Sequence, residues 1–474
     1  MRPEINQYIE SHQDEMVQDL QRVIRTRSVI DTSAENMPYG KGCAQMLEQI
    51  LEMCSAMGFH TVNVDNQCGY AEYGEGEEII GIFSHFDVVA EGTGWEHDPF
   101  GGEIHNGAVW GRGALDNKGP GIASLYGLRA IKELNLPINR RIRIVFGIDE
   151  ESGMRDIQYY LKKCGAPYAG FSPDAQFPVS FAERPNSQVY IKKTFEKPCD
   201  ELPRLLEMHS NDTQNIADYC RAVVEAADEE NARDIMARLA RFAEKTAWKL
   251  MATCEGTRIT FESHGLTGHP YTPRLAQNAN SQLIMFLDRI GLKGEAGAII
   301  HQFREKVGME YYGESLGIDQ EDESGWLTFA NTNFDLDEKQ FYAVFKMYRP
   351  VTYPIEEIVK KIEEAFSPLG IEIDKYKTSP GVLRDRSCPL IGILRKAYEE
   401  HTHLDSTPRA IGGTYSKYVP TICGFGAIFP WGTDWCHITN EQMAISDLVL
   451  MSKIFGNAIY ELATADFHGQ PPVY

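Results

Sequence analysis

Apolar residues recur every three to four positions through residues 1–60, at Ile5, Ile9, Met16, Leu20 and Ile24, and again over 41–57, which predicts two helical segments. The period then shortens. Residues 79–84 form an apolar strand candidate, Asn106-Gly107 marks a hairpin turn, 123–134 return to helical spacing, and 143–148 make a second buried strand. Such alternation of strand and helix implies a largely parallel sheet. After Ser172-Pro173-Asp174 the texture changes: 217–250 is charged and helix-prone, and paired strand-like runs lie around 258–262 and 340–347. From Cys388 onward the earlier alternation returns, with a helix over 390–400, a glycine turn at Gly412-Gly413 and a strand-like 421–429. The expected architecture is an α/β domain with a mostly parallel sheet, discontinuous in sequence over 1–184 and 385–474, with an α+β domain inserted over 185–384.

Composition narrows the partners. Across 474 residues, 46 Lys and Arg stand against 68 Asp and Glu, a formal net charge of −22. Such a surface repels nucleic-acid backbones and anionic membranes, leaving a small molecule or a peptide as the expected partner. The start of the chain, Met1 to Gln7, has no basic region followed by an apolar one, and no stretch approaches the roughly 18 apolar residues of a spanning helix, so a cytoplasmic, soluble protein is expected. Ten scattered cysteines without a Cys-x-x-Cys pair read as reduced packing residues, Cys436 beside His437 included.

The chemistry lies at the ends of the strand candidates. His85, Glu150, Glu151 and Asp174 each follow an apolar run, which places them at the carboxyl edge of the sheet, where open α/β folds bind ligands. An imidazole and several carboxylates meeting there call for divalent cations, and zinc accepts that donor set. Asp87 is placed to accept the other imidazole N–H of His85. In the Glu150-Glu151 doublet the adjacent side chains point apart, so one is expected to bind metal and the other to move protons.

Five segments carry a resemblance: SHFDVVAEGTGWEHDPF at 84–100, GRGALDNKGP at 111–120, GIDEESG at 147–153, SPDAQFPV at 172–179 and CHITNE at 436–441. In that order they resemble the M20 family of metallopeptidases, closest to its long-lid dipeptidases. The resemblance implies a zinc-peptidase catalytic domain with an inserted lid, and two divalent ions, Zn2+ first, with Mn2+ or Co2+ as alternatives. It implies His85 and Asp174 on one ion, Glu151 and His437 on the other, and Asp116 bridging both. Glu150 becomes the general base, Asp87 the orienter of His85, and the Asp116–Asn117 peptide bond is expected to be cis. In the insertion, GLTGHPYTPRLAQNAN at 265–280 resembles the segment whose histidine stabilises an oxyanion, here His269. Arg349 resembles the family's substrate-carboxylate arginine, and Gly412-Gly413-Thr414 its substrate-facing turn. The lid asparagine that normally precedes Val-Pro has only Gln214 or Asn215 as a counterpart, followed by Ile216-Ala217.

The expected activity is hydrolysis of dipeptides with free termini, by a monomer rather than a dimer. The alternative is an amidohydrolase of N-acyl or N-succinyl amino acids built on the same metal centre, disfavoured by the insertion of roughly 200 residues, long for the family. Gly313-Glu314-Ser315-Leu316-Gly317 matches a nucleophile elbow but lacks the preceding buried strand. His401-Thr402-His403 reads as an exposed helix end, and no His-Glu-x-x-His occurs.

Overall fold

A computed structural model describes residues 2–211, 215–467 and 472–473. It divides into two compact units, one formed by Met1–Glu183 with Val382–Tyr474 and one by Arg184–Gly381.

The first unit is built on a six-stranded sheet. Its strands are β1 (His60–Val64), β2 (Cys68–Tyr73), β3 (Ile79–His85), β6 (Arg141–Gly147), β7 (Ala169–Ser172) and Ile422–Gly424; two short strands, β4 (Glu103–His105) and β5 (Ala108–Trp110), form a hairpin elsewhere. The spatial order is β1-β2-β6-β3-β7 and then Ile422–Gly424. β3 runs parallel to β6 with Ile79 opposite Arg141 and His85 opposite Gly147, and parallel to β7 on its other side; the first two strands are antiparallel. β3 and β6 are near-continuous apolar runs because helices cover both faces. Helices α1 (Pro3–Ser11), α2 (Gln13–Ile24), α3 (Lys41–Ala56), α4 (Lys118–Glu133) and the helix Ile445–Thr464 share this core. α4 and Ile445–Thr464 cross at Gly127 and Gly456, where a Cβ on Gly127 would stand 2.8 Å from the Gly456 backbone. Only the missing side chains allow that approach.

Predicted and observed elements differ in instructive ways. α4 begins at Lys118, not 123, because Pro120 sits in its first turn, where an absent N–H costs nothing. The expected strand 421–429 is broken into Ile422–Gly424 and Ala427–Ile428, with Gly426 at φ 74° between them. His401 is half-buried rather than exposed, its Nδ1 2.8 Å from the Ala397 carbonyl oxygen and its Nε2 3.3 Å from Asn6 Oδ1.

The second unit carries an eight-stranded sheet whose pairings are all antiparallel, in the order Lys249–Glu255, Arg258–His264, Tyr219–Glu225, Arg204–Ser210, Thr328–Leu336, Gln340–Tyr348, Asn186–Thr194 and Glu372–Thr378. Helices Glu229–Thr246, Ala279–Leu287, Gly294–Lys306 and Ile355–Phe366 pack on it, with Phe303 touching Phe334, Phe341, Phe345 and Phe366 at the centre. The stretch 217–250 is not helical throughout. Tyr219–Glu225 is a strand that buries Cys220, Ala222 and Val224, and the helix starts only after Asp228, whose carboxylate accepts the Asn231 N–H. The runs near 258–262 and 340–347 are strands of this sheet but not neighbours in it. Ser315 lies in a short 3-10 turn and its hydroxyl bonds Glu310, so the elbow-like motif has no elbow. Among the described residues, no helix is long and apolar enough to cross a membrane.

Candidate metal centre

A cleft of about 160 Å³ opens at the carboxyl edge of the six-stranded sheet, lined by Asp116, Glu150, Glu151, Asp174, Gly413, Cys436 and His437 among others. Parallel strands deliver three of its carboxylates: Glu150 and Glu151 follow β6, and Asp174 follows β7. His85, the last residue of β3, is buried behind them.

Asp116 is the hub. Its Oδ1 lies 3.0 Å from His85 Nε2 and its Oδ2 3.1 Å from His437 Nε2. His85 Nε2 is also 3.6 Å from Asp174 Oδ1, and His437 Nε2 is 3.0 Å from the Glu151 carboxylate. Ligand atoms of His85, Glu150 and Asp174, and of His85, Asp116 and Glu151, each gather within 4.8 Å. The peptide bond between Asp116 and Asn117 is cis, as expected.

Supporting bonds fix this geometry. Glu441, fully buried, accepts the N–H groups of Leu115 at 2.9 Å and Asp116 at 3.0 Å, while its other oxygen takes Arg112 Nη1 at 2.7 Å. Asn117 Nδ2 donates to the Pro173 carbonyl at 2.6 Å and to Asp174 Oδ1 at 3.2 Å. Asp87 does more than face the imidazole. His85 Nδ1 lies 3.0 Å from the Asp87 backbone oxygen and 3.5 Å from its carboxylate, and that carboxylate accepts the N–H groups of Glu150 (3.2 Å) and Glu151 (3.1 Å). Asp156 accepts the Ile148 and Asp149 N–H groups and the Tyr415 hydroxyl, tying the doublet's turn to the glycine turn. In that turn Gly413, at φ 151°, faces the cleft, and a Cβ there would sit 2.0 Å from Lys417 Cε. Thr414 is buried, its N–H and hydroxyl both donating to Glu183.

The electrostatics are those of a site short of positive charge. Burial pushes Glu151 up to about 7 and Asp174 up to about 6, and drives Glu150 well above the usual carboxylate range, the Asp174 charge adding to it. Burial alone would lower both imidazoles. The Asp174 charge and the bonds to Asp116, Asp174 and Asp87 instead hold His85 well above its usual range, and bonds to Asp116 and Glu151 lift His437 to about 11. Asp116 is lowered: burial opposes ionisation, but the two histidines outweigh it. Among the described residues no Lys or Arg lines the cleft. Buried carboxylates gathered around two imidazoles, without a Lys or Arg partner in the cleft lining, form a donor set that divalent cations fit.

The sequence profile of peptidase family M20/M25/M40 matches residues 81–461, a span that holds every group described above. The chain belongs to this family. A Bacillus subtilis (strain 168) relative named "Putative dipeptidase YtjP" is 33% identical over 460 residues, covering 95% of this chain and 97% of that protein. A Staphylococcus aureus (strain MW2) protein, "Putative dipeptidase MW1694", is 28% identical and covers 97% and 99%. The fold is shared with human carnosine dipeptidase 1 (TM-score 0.59, 15% identity, 97% and 98% covered) and with the dipeptidase Dug1p of Saccharomyces cerevisiae (TM-score 0.55, 14% identity, 97% and 98% covered). As an M20 peptidase the protein is a hydrolase of peptide bonds, with the family's α/β domain and inserted α+β domain.

The remaining expected residues lie in the second unit. His269 accepts the Tyr271 N–H on Nδ1 at 3.3 Å, and its Nε2 is 3.4 Å from the Tyr348 hydroxyl. Arg349 follows the strand Gln340–Tyr348, and its guanidinium donates to the carbonyl oxygens of Tyr353 and Pro350. Gln214 lies outside the described residues; Asn215 precedes Ile216, whose N–H donates to the Gly268 carbonyl. Sequence reasoning gave no role to Asn117, Glu441, Asp156 or Glu183. The first two stand inside the family-like segments, where a polar residue flanking an expected ligand was the available signal.

Proposed function

We propose that the protein is a metal-dependent dipeptidase that cleaves dipeptides with free termini. The observation that carries this reading is Asp116, one carboxylate with an oxygen on each of two imidazoles, the arrangement expected of a bridging ligand. Relatives named dipeptidases over nearly the whole chain favour dipeptides over acyl amino acids. In this reading His85 and Asp174 hold one ion, Glu151 and His437 the other, and Asp116 joins them, with Zn2+ the first choice and Mn2+ or Co2+ as alternatives. Divalent ions bound there would polarise the scissile carbonyl and acidify a water. Glu150, which lines the cleft, takes the proton of the attacking water and delivers it to the leaving amine. Asp87 fixes the doublet through the Glu150 and Glu151 amides.

His269 serves as the oxyanion donor, and Arg349 offers a guanidinium fork to the free C-terminus. Gly412 and Gly413 give the substrate backbone an edge without a Cβ, while Thr414 holds that turn against Glu183. Residues 184–381 act as the lid, and the enzyme works as a cytoplasmic monomer. The test is a panel of dipeptides, a tripeptide and N-acetyl and N-succinyl amino acids offered to the zinc- or manganese-loaded protein. Cleavage confined to dipeptides and abolished by EDTA is the expected result. Cleavage of the acyl substrates alone would replace it with the amidohydrolase reading, and no cleavage would refute both.

A further inference from the structure

A second cluster of metal-ligating side chains lies outside the cleft, on the β4–β5 hairpin and the loop before it. The hairpin turns at Asn106-Gly107, with φ of 52° and 77°, and strand alternation puts Glu103 and His105 on one face of β4. His105 Nε2 lies 2.8 Å from Glu103 Oε2, and His97 Nδ1 lies 4.0 Å from the same oxygen. The His97 and His105 rings stack with centroids 3.6 Å apart and planes inclined by 6°, and Trp110 meets His97 edge-on at 4.8 Å. Ligand atoms of His97, Glu103 and His105 all fall within 4.8 Å of one another.

We propose that His97, Glu103 and His105 form a further site for one divalent transition-metal ion, separate from the centre around Asp116. Two imidazoles and a carboxylate are the nitrogen-rich set that Zn2+ and Ni2+ accept, whereas Ca2+ and Mg2+ call for more oxygens. The side chains are 28%, 52% and 35% exposed, so water can complete the coordination. In-plane lone pairs on parallel rings do not converge, so binding turns His97 out of the stack. Trp110, whose Nε1 donates to the His105 carbonyl at 3.3 Å, is the reporter of that motion. The site also has a lever on its surroundings. The loop carrying His97 is tied through the Glu96 N–H to Asn440, and β5 pairs with Gln442–Ala444, so an ion here braces the segment that holds His437 and Glu441.

The test is a Ni2+ titration of the zinc-loaded full chain, following tryptophan fluorescence and ions bound per chain at equilibrium dialysis, with wild type beside His105→Ala and Glu103→Gln. Wild type is expected to bind one more ion per chain than His105→Ala, and the apparent affinity read from fluorescence to fall at least about tenfold. Counting the difference keeps the result independent of what the Asp116 cluster holds. His97→Asn, with circular dichroism on every variant, guards against misfolding. Equal counts in wild type and a folded variant, or a fluorescence response in His105→Ala at unchanged apparent affinity, would overturn the proposal.

Discussion

Replacing Glu150 by Gln separates the two tasks a carboxylate can have in this cleft. The backbone bond from Glu150 to Asp87 does not involve the side chain, so the turn survives the substitution. Loss of the proton carrier alone should lower kcat by about 10²–10⁴. Stability of the metal-free protein should move the other way. Ligand atoms of Glu150 and Asp174 lie within 4.8 Å, where two charges repel by about 3.5 kcal/mol at an effective dielectric near 20. Burial and that repulsion hold Glu150 well above its ordinary 4.5, so folding is coupled to proton uptake between the unfolded and the folded value. Each pH unit above the unfolded value costs about 1.4 kcal/mol until the folded value is reached, which bounds the gain from Gln at about 3 kcal/mol at pH 7.

The assay is therefore threefold: turnover on a cleaved dipeptide, zinc content, and denaturant unfolding of the EDTA-treated protein. The reasoning requires slower turnover, unchanged zinc and a higher unfolding midpoint. Unchanged turnover would end the role of Glu150 as base. Loss of one ion per chain would make it a ligand, and a lower midpoint would refute the account of the cluster's electrostatics.

Three further outcomes are expected. Glu441→Gln can keep one oxygen on the Leu115 and Asp116 amides but turns an NH2 group toward Arg112, leaving that buried guanidinium without its counter-charge and acceptor, so urea unfolding should show a loss of about 3–5 kcal/mol; an unchanged midpoint would refute the anchor. In metal-free protein Glu151 (about 7) and Asp174 (about 6) are raised, so their contribution to stability falls as pH rises from about 4 to those values; His437, raised to about 11, adds a fall from about 6.5 upward. Because cations displace those protons, the Tm difference between metal-loaded and EDTA-treated protein should widen from about pH 6 to about pH 8.5, and a constant difference would sink the argument. Arg349→Ala should raise KM for dipeptides with a free C-terminus and spare C-amidated ones; equal losses on both would remove the guanidinium from carboxylate recognition.

The sequence made the reacting groups more legible than the groups that hold them. His85, Glu150 and Asp174 betray themselves because a polar residue directly after an apolar run stands where a parallel strand ends, and the structure brings all three to one cleft edge. The strand Tyr219–Glu225 was hidden for the opposite reason: its alternation of Cys220, Ala222 and Val224 covers only a few residues and lies beside the charged helix Glu229–Thr246, whose composition dominates any window wide enough to show a helical period. Glu441 and Asp156 were hidden by chemistry. A carboxylate that accepts two backbone amides in the interior reads the same in sequence as one on the surface, since its partners, the amides of Leu115 and Asp116 or of Ile148 and Asp149, exist at every position of every chain. What distinguishes them is the turn that leaves those amides without a strand or helix partner: the one after β6 for Asp156, and the one between β5 and α4 for Glu441. The reacting groups follow from local pattern, whereas their supports depend on backbone donors that the assembled sheet leaves over.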